Sequence, residues 1–139
     1  MELQLNWLAI VTAIIASMVL AKTWYTEAAF GRPWRKLTGI TLADSKLSGN
    51  KPIIITLLAN IVTVIVLAAL IHVSSAFFKD TSLWHATWVG LLAWLAFSAT
   101  TLLTHNAFER KPYALTLINN GYQLAFFLIT ALIIGAFGA

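Results

Sequence analysis

Four apolar runs set the limits on this chain: Leu5 to Ala21, Pro52 to about Val73, about Leu83 to Leu103, and about Tyr113 to Phe137. Each reaches the roughly 17–25 residues that carry a helix across a bilayer. None alternates strictly between polar and apolar, as the strands of a lipid-embedded barrel do. A helix satisfies its own backbone in lipid, so the runs predict an all-α membrane protein with spans of about 5–25, 52–73, 83–103 and 113–137. Only 10% of the 139 residues are charged, and 60% are hydrophobic. A soluble domain carries about 25% charge, so a soluble globular protein is excluded. Residues 1–139 are used up by a single four-helix transmembrane domain, with no length for a soluble catalytic one. The first run lacks a basic leader and reads as a retained helix.

The chain has no cysteine, which removes disulfides, thiolate metal sites and cysteine nucleophiles. The net charge is +4, and the basic residues flank the spans. Anionic lipid headgroups and membrane orientation explain that better than nucleic acid does. The first connection holds Lys22, Arg32, Arg35, Lys36, Lys46 and Lys51, and the third holds Arg110 and Lys111. Only Lys79, of the nine basic residues, lies in the second. By the positive-inside rule, connections one and three are cytoplasmic and both termini extracytoplasmic.

The chain also repeats itself. At an offset of 60, Lys51, Pro52, Thr56, Leu57 and Asn60 align with Lys111, Pro112, Thr116, Leu117 and Asn120. At an offset of 78, Ala21, Thr23, Ala29, Phe30 and Arg32 align with Ala99, Thr101, Ala107, Phe108 and Arg110. The spans are therefore expected to form two tandem helical hairpins, a parallel repeat with a pseudo-twofold axis along the membrane normal. The first connection is the longer one, and Thr41-Leu42-Ala43-Asp44 resembles a capping box that starts a short helix from Thr41 to Ser48. Trp34, Arg35 and Lys36, with Arg32, would meet lipid headgroups there; an ordinary basic loop is the other reading.

Asn6-Trp7-Leu8-Ala9, Trp24-Tyr25, Phe30-Gly31 with Trp34, Phe108-Glu109…Pro112 and Asn119-x-Gly121-Tyr122 occur in order. Together they resemble an uncharacterised bacterial membrane family, domain of unknown function 1761, along nearly the whole chain. The resemblance implies a four-span protein of the bacterial inner membrane and brings no established reaction.

Polar side chains inside apolar spans are costly and should face helices or water. Asn60 and Asn120 each follow their proline by eight residues, about 12 Å into the span. Thr56 accompanies Asn60; Thr116, Asn119 and Gln123 accompany Asn120; Ser98 and Thr101 add a polar face on the third span. By helical spacing each set is expected to share one face. These residues serve either as a polar pocket or pathway open to the cytoplasm, or as hydrogen-bond glue between hairpins. Glu27 and His105, at repeat-related places, offer a proton or cation site; pairing of Glu27 with Arg32 or Lys22 is the plainer alternative. His72, His85 and Asp80 lack a ligand motif, and no metal or cofactor is expected.

Ala9, Ala13, Ser17 and Ala21 form a small-residue stripe on the first span, and Gly121 with Ala125 forms another on the fourth. Several such stripes in four helices suggest self-association, most simply a twofold dimer. The function expected is that of a homo-oligomeric channel- or transporter-like protein. The alternative is a lipid-binding or accessory subunit packed on a partner membrane protein. No catalytic residues can be named, so a membrane enzyme ranks last.

Overall fold

The computed structural model describes residues 2–138, and they are helical nearly throughout. The helices are α1 (Trp7–Trp24), α2 (Gly31–Thr38), α3 (Leu42–Ser48), α4 (Lys51–Phe78), α5 (Leu83–Ala93), α6 (Thr100–Phe108) and α7 (Tyr113–Phe137). A π-helical turn, Trp94–Ala99, joins α5 to α6, so that Leu83–Phe108 is one continuous third long helix. The four long helices are each apolar and long enough to cross a membrane.

Local chemistry sets their ends. Asn6 caps α1 by accepting from the Ala9 N–H at 3.1 Å, and Ser82 caps α5 by accepting from the His85 N–H at 3.1 Å. Pro52 sits in the first turn of α4, where its missing N–H costs nothing. Lys79 ends α4 in a left-handed conformation (φ 54°), and Arg110 turns the chain after α6 in the same way (φ 54°). α4 and the third long helix run on to Phe78 and Phe108, past the expected limits near residues 73 and 103. Hydropathy marks where a helix leaves lipid, while its hydrogen bonds continue through Ser74-Ser75 and Thr104-His105.

The first connection contains two helices rather than one. α3 is the expected one: the Thr41 hydroxyl accepts from the Asp44 N–H at 3.1 Å, and the Asp44 carboxylate accepts from the Thr41 N–H at 2.9 Å. α2 carries no side-chain cap that would mark it in the sequence. It begins at a buried glycine, Gly31, where a Cβ would fall 2.5 Å from the Tyr25 carbonyl oxygen.

Neighbouring long helices alternate in direction. The start of α1 meets the end of α7 (Asn6 Nδ2 to Phe137 O, 3.4 Å), and its end meets the start of α7 (Trp24 Nε1 to Ile118 O, 3.1 Å). Ser74 on α4 contacts His85 on α5 (2.8 Å), and Asn106 on α6 donates to Thr116 on α7 (2.9 Å). α1 and the third long helix occupy opposite corners; α7 packs against both and also touches α4. From Ile118 to Ala131 no residue of α7 is exposed, which makes it the centre of the bundle.

Small residues permit the closest approaches. Ala9, Ala13 and Ser17 are fully buried within the chain. A Cβ on Gly90 would meet Ala131 at 2.6 Å, one on Gly135 would meet Ala86 at 2.8 Å, and one on Gly121 would meet the Trp24 ring at 2.9 Å. These small residues pack inside one molecule.

The π turn re-aims the third long helix. Ala86, Gly90 and Ala93 are buried, and a regular α-helix would continue that stripe at Phe97, Thr100 and Thr104, all exposed here. Burial resumes instead at Ala99 and Asn106. One extra residue, worth about 100° of rotation, keeps the second half facing α7.

Candidate functional site

The polar groups collect toward the end that carries the first and third connections, the basic end. Asn60, only 5% exposed, donates from Nδ2 to the Ser17 hydroxyl (3.0 Å) and to the Tyr122 hydroxyl (3.4 Å). Ser17 donates its own proton to the Ile14 carbonyl (2.7 Å), leaving its lone pairs for the amide. Asn60 thus ties α1, α4 and α7 together. One turn nearer the basic end, the Tyr25 hydroxyl donates to Asn119 Oδ1 at 2.7 Å. The Tyr25 ring lies 5.6 Å from Tyr122 and takes Trp34 of α2 edge-on at 5.9 Å. α2 is thereby docked over the end of α1 and the start of α7.

Beside this network runs a cleft built from three adjoining cavities. The outermost, about 610 Å³, lies between α1 and α4 at Met18, Lys22, Tyr25, Pro52 and Thr56. The next, about 340 Å³, shares Ala21, Tyr25 and Thr56 with it and adds Asn119, Tyr122 and Gln123. Gln123 also lines the third, about 490 Å³, where α4 stands off from the π turn and Thr63, Ser98 and Thr101 supply hydroxyls among apolar walls. Beyond Leu67 and Leu70 the cleft ends against the packed half of the bundle, where Ala86 meets Gly135 and Gly90 meets Ala131.

The structure divides the polar residues singled out above. Thr56, Asn119, Gln123, Ser98 and Thr101 line the cleft. Asn60 is buried behind it. Thr116 and Asn120 lie elsewhere, in a separate cavity against the third long helix. The expectation that Thr116, Asn119, Asn120 and Gln123 share one face is corrected here. Pairs four residues apart stay together, while a single step turns about 100° around the helix. Tyr25 and Tyr122, which the sequence marks only as motif residues, carry the network; Tyr122 follows Asn119 by three, a spacing that puts both on one side of α7.

Glu27 is held by Arg32 (3.0 Å) and Arg35 (3.4 Å), while His105 is exposed on the last turn of α6. Arg35 turns inward to the Ser45 hydroxyl (3.0 Å), and Trp34 packs on Tyr25; Arg32 and Lys36 stay exposed. At the far end His85 sits between Ser74 (2.8 Å) and Asp80 (3.8 Å). Hydrogen bonds from Ser82, and then the His85 charge, hold the Asp80 carboxyl below its ordinary range. Among the described residues no group of three or more His, Asp or Glu side chains is placed to hold a metal.

Four apolar, membrane-length helices with a one-sided cleft, mostly apolar and dotted with polar side chains, define a class, the small multi-pass helical membrane protein. Within it, the chain belongs to the family described as Protein of unknown function (DUF1761), whose model matches residues 8–135. No curated protein and no solved structure matches the chain.

Proposed function

We propose that the protein is a transporter-like membrane protein of the bacterial inner membrane, whose cleft admits a small uncharged polar solute from the cytoplasmic side. The observation that carries this reading is the run of three adjoining cavities from Lys22 and Pro52 to Gln123 and Thr101, ending against close helix packing. Its polar groups are hydroxyls and amides set among apolar walls, with the one charge, Lys22, at the mouth. A neutral hydrogen-bonding solute meets partners there, and an ion would lose hydration without a counter-charge. Eight basic residues at that end support its cytoplasmic placement. The two hairpins, taken as a parallel repeat, supply two halves able to rock about the cleft.

The cysteine-free sequence allows a direct test. Single variants Thr101→Cys and Gln123→Cys should react with a membrane-impermeant thiol reagent in inside-out vesicles and resist it in right-side-out ones. Ile71→Cys should resist in both. Equal protection of Gln123→Cys and Ile71→Cys would reject a water-filled cleft. Uptake of a neutral polyol into proteoliposomes, lost in Gln123→Leu, then tests transport itself.

A second reading rests on the first connection. Leu42 and Leu47 are 59% and 87% exposed beside Lys46, with Lys36 exposed on α2. This pattern suits a lipid surface. On this reading the protein is a lipid-binding or accessory subunit, and neutralising Lys36 and Lys46 should weaken binding of the purified protein to anionic over neutral vesicles.

A further inference from the structure

Gln123 stands ten residues into α7, about 15 Å from its start and so near half the depth of a bilayer core. Neither polar atom of its amide has a partner among the described residues, and both stay accessible in the cleft. Asn119, one turn nearer the basic end on the same side of the helix, is half paired. Its Oδ1 accepts the Tyr25 proton at 2.7 Å, so the end of the amide left open is Nδ2, which is accessible and unpartnered. Thr56, on α4, is left the other way round. Its proton goes to the Pro52 carbonyl at 2.8 Å, and it offers the cavity lone pairs alone. No charged side chain lines this middle cavity of about 340 Å³. Open amide groups at such depth are costly unless something that hydrogen-bonds enters.

These open groups form a pattern. Gln123 presents a donor and an acceptor side by side in one plane, Asn119 adds a second donor, and Thr56 a second acceptor. A primary carboxamide carries the complement, a carbonyl oxygen with two lone pairs beside an NH2 with two protons. We propose that the middle cavity of the cleft recognises primary amides and ureas. The solute pairs edge to edge with the Gln123 amide, its carbonyl to Nε2 and its N–H to Oε1. Its carbonyl also takes a proton from Asn119 Nδ2, and its outer N–H is left for the Thr56 side. Tyr25 is a positioning residue, which holds the Asn119 amide with its donor toward the cavity. A polyol can meet the same groups, but each of its hydroxyls has to be frozen in rotation to do so, whereas an amide is planar and already aligned. The inference rests on the cleft being a solute pathway and narrows the class of solute.

The test measures entry of radiolabelled urea and glycerol, two small neutral solutes, into proteoliposomes of the full chain, with empty liposomes subtracted. Protein-dependent entry of urea should exceed that of glycerol by about three-fold or more, the worth of about one net hydrogen bond. Y25F keeps the ring and frees the Asn119 amide to turn, so the urea-to-glycerol ratio should fall toward one. Urea entry equal to or below that of glycerol in the wild-type chain, which needs no variant to fold, overturns the amide pattern while the solute pathway stands. A preference for urea that Y25F leaves intact overturns the positioning role of Tyr25. Protein-dependent entry of neither solute overturns the pattern and the pathway together.

Discussion

Asn60 shows what a single buried amide does in this bundle. Its two hydroxyl partners come from helices on either side, so Asn60→Leu removes one node that joins three helices. Hydrogen bonds of this kind inside membranes are worth about 0.6–1.7 kcal/mol. Unfolding of Asn60→Leu in mixed micelles should show a loss of that order, and Tyr122→Phe a smaller one, because Ser17 still holds the amide. A loss under the assay error in Asn60→Leu would mean that the amide is not structural glue. The amides themselves were legible in the sequence, since a polar side chain stands out in an apolar run. Their partners were not. Whether Asn120 faces the cleft or the third long helix depends on the rotational phase of α7, and composition does not encode phase.

Among the elements, α3 announces itself and α2 does not. The Thr41–Asp44 box is written in neighbouring residues, whereas α2 is held by Gly31 under Tyr25 and by Trp34 on its ring, contacts made only after α1 and α7 have met. The N–H of Thr41, and then its hydroxyl, hold the Asp44 carboxyl below its ordinary value of 3.8. A carboxyl with a lower pKa in the folded state than in the unfolded one adds stability above the unfolded value, and that stability fades as pH falls through the folded value. Cα chemical shifts of Leu42–Ser48 should therefore drift toward coil in acid well before those of α7. In Asp44→Asn the acid-dependent drift should vanish. The π turn makes a different prediction. If Trp94–Ala99 absorbs one surplus residue, deleting Ala96 leaves Ala86–Gly135 and Asn106–Thr116 in register, and the variant should fold. Deleting Val62 from the uninterrupted α4 should not be tolerated. Thermal melts in detergent compare the two, and equal damage would contradict the register argument. No glycine or proline lies in Trp94–Ala99, which is why the sequence gives no sign of the turn.

For the molecule as a whole, the count of four long helices and the concentration of basic residues at one end follow from hydropathy and charge alone. What hydropathy could not show is that the four helices are unequal, with α7 enclosed and the other three largely exposed. Small residues serve packing within the chain: Gly90 meets Ala131, Gly135 meets Ala86, Gly121 meets Trp24, and Ala9, Ala13 and Ser17 are fully buried. Ala13→Leu should accordingly cost about 1–3 kcal/mol of stability by overpacking. It should leave the oligomeric state seen by native mass spectrometry unchanged, and a shift from dimer to monomer would show that the stripe also faces a second copy. The enclosed helix is also the last of the four to leave the ribosome. Until it arrives, Asn60 lacks its Tyr122 partner, and Ala86 and Gly90 on α5 lack the Gly135 and Ala131 they pack against. The bundle therefore closes only when its fourth long helix is laid in, as an arch does with its keystone.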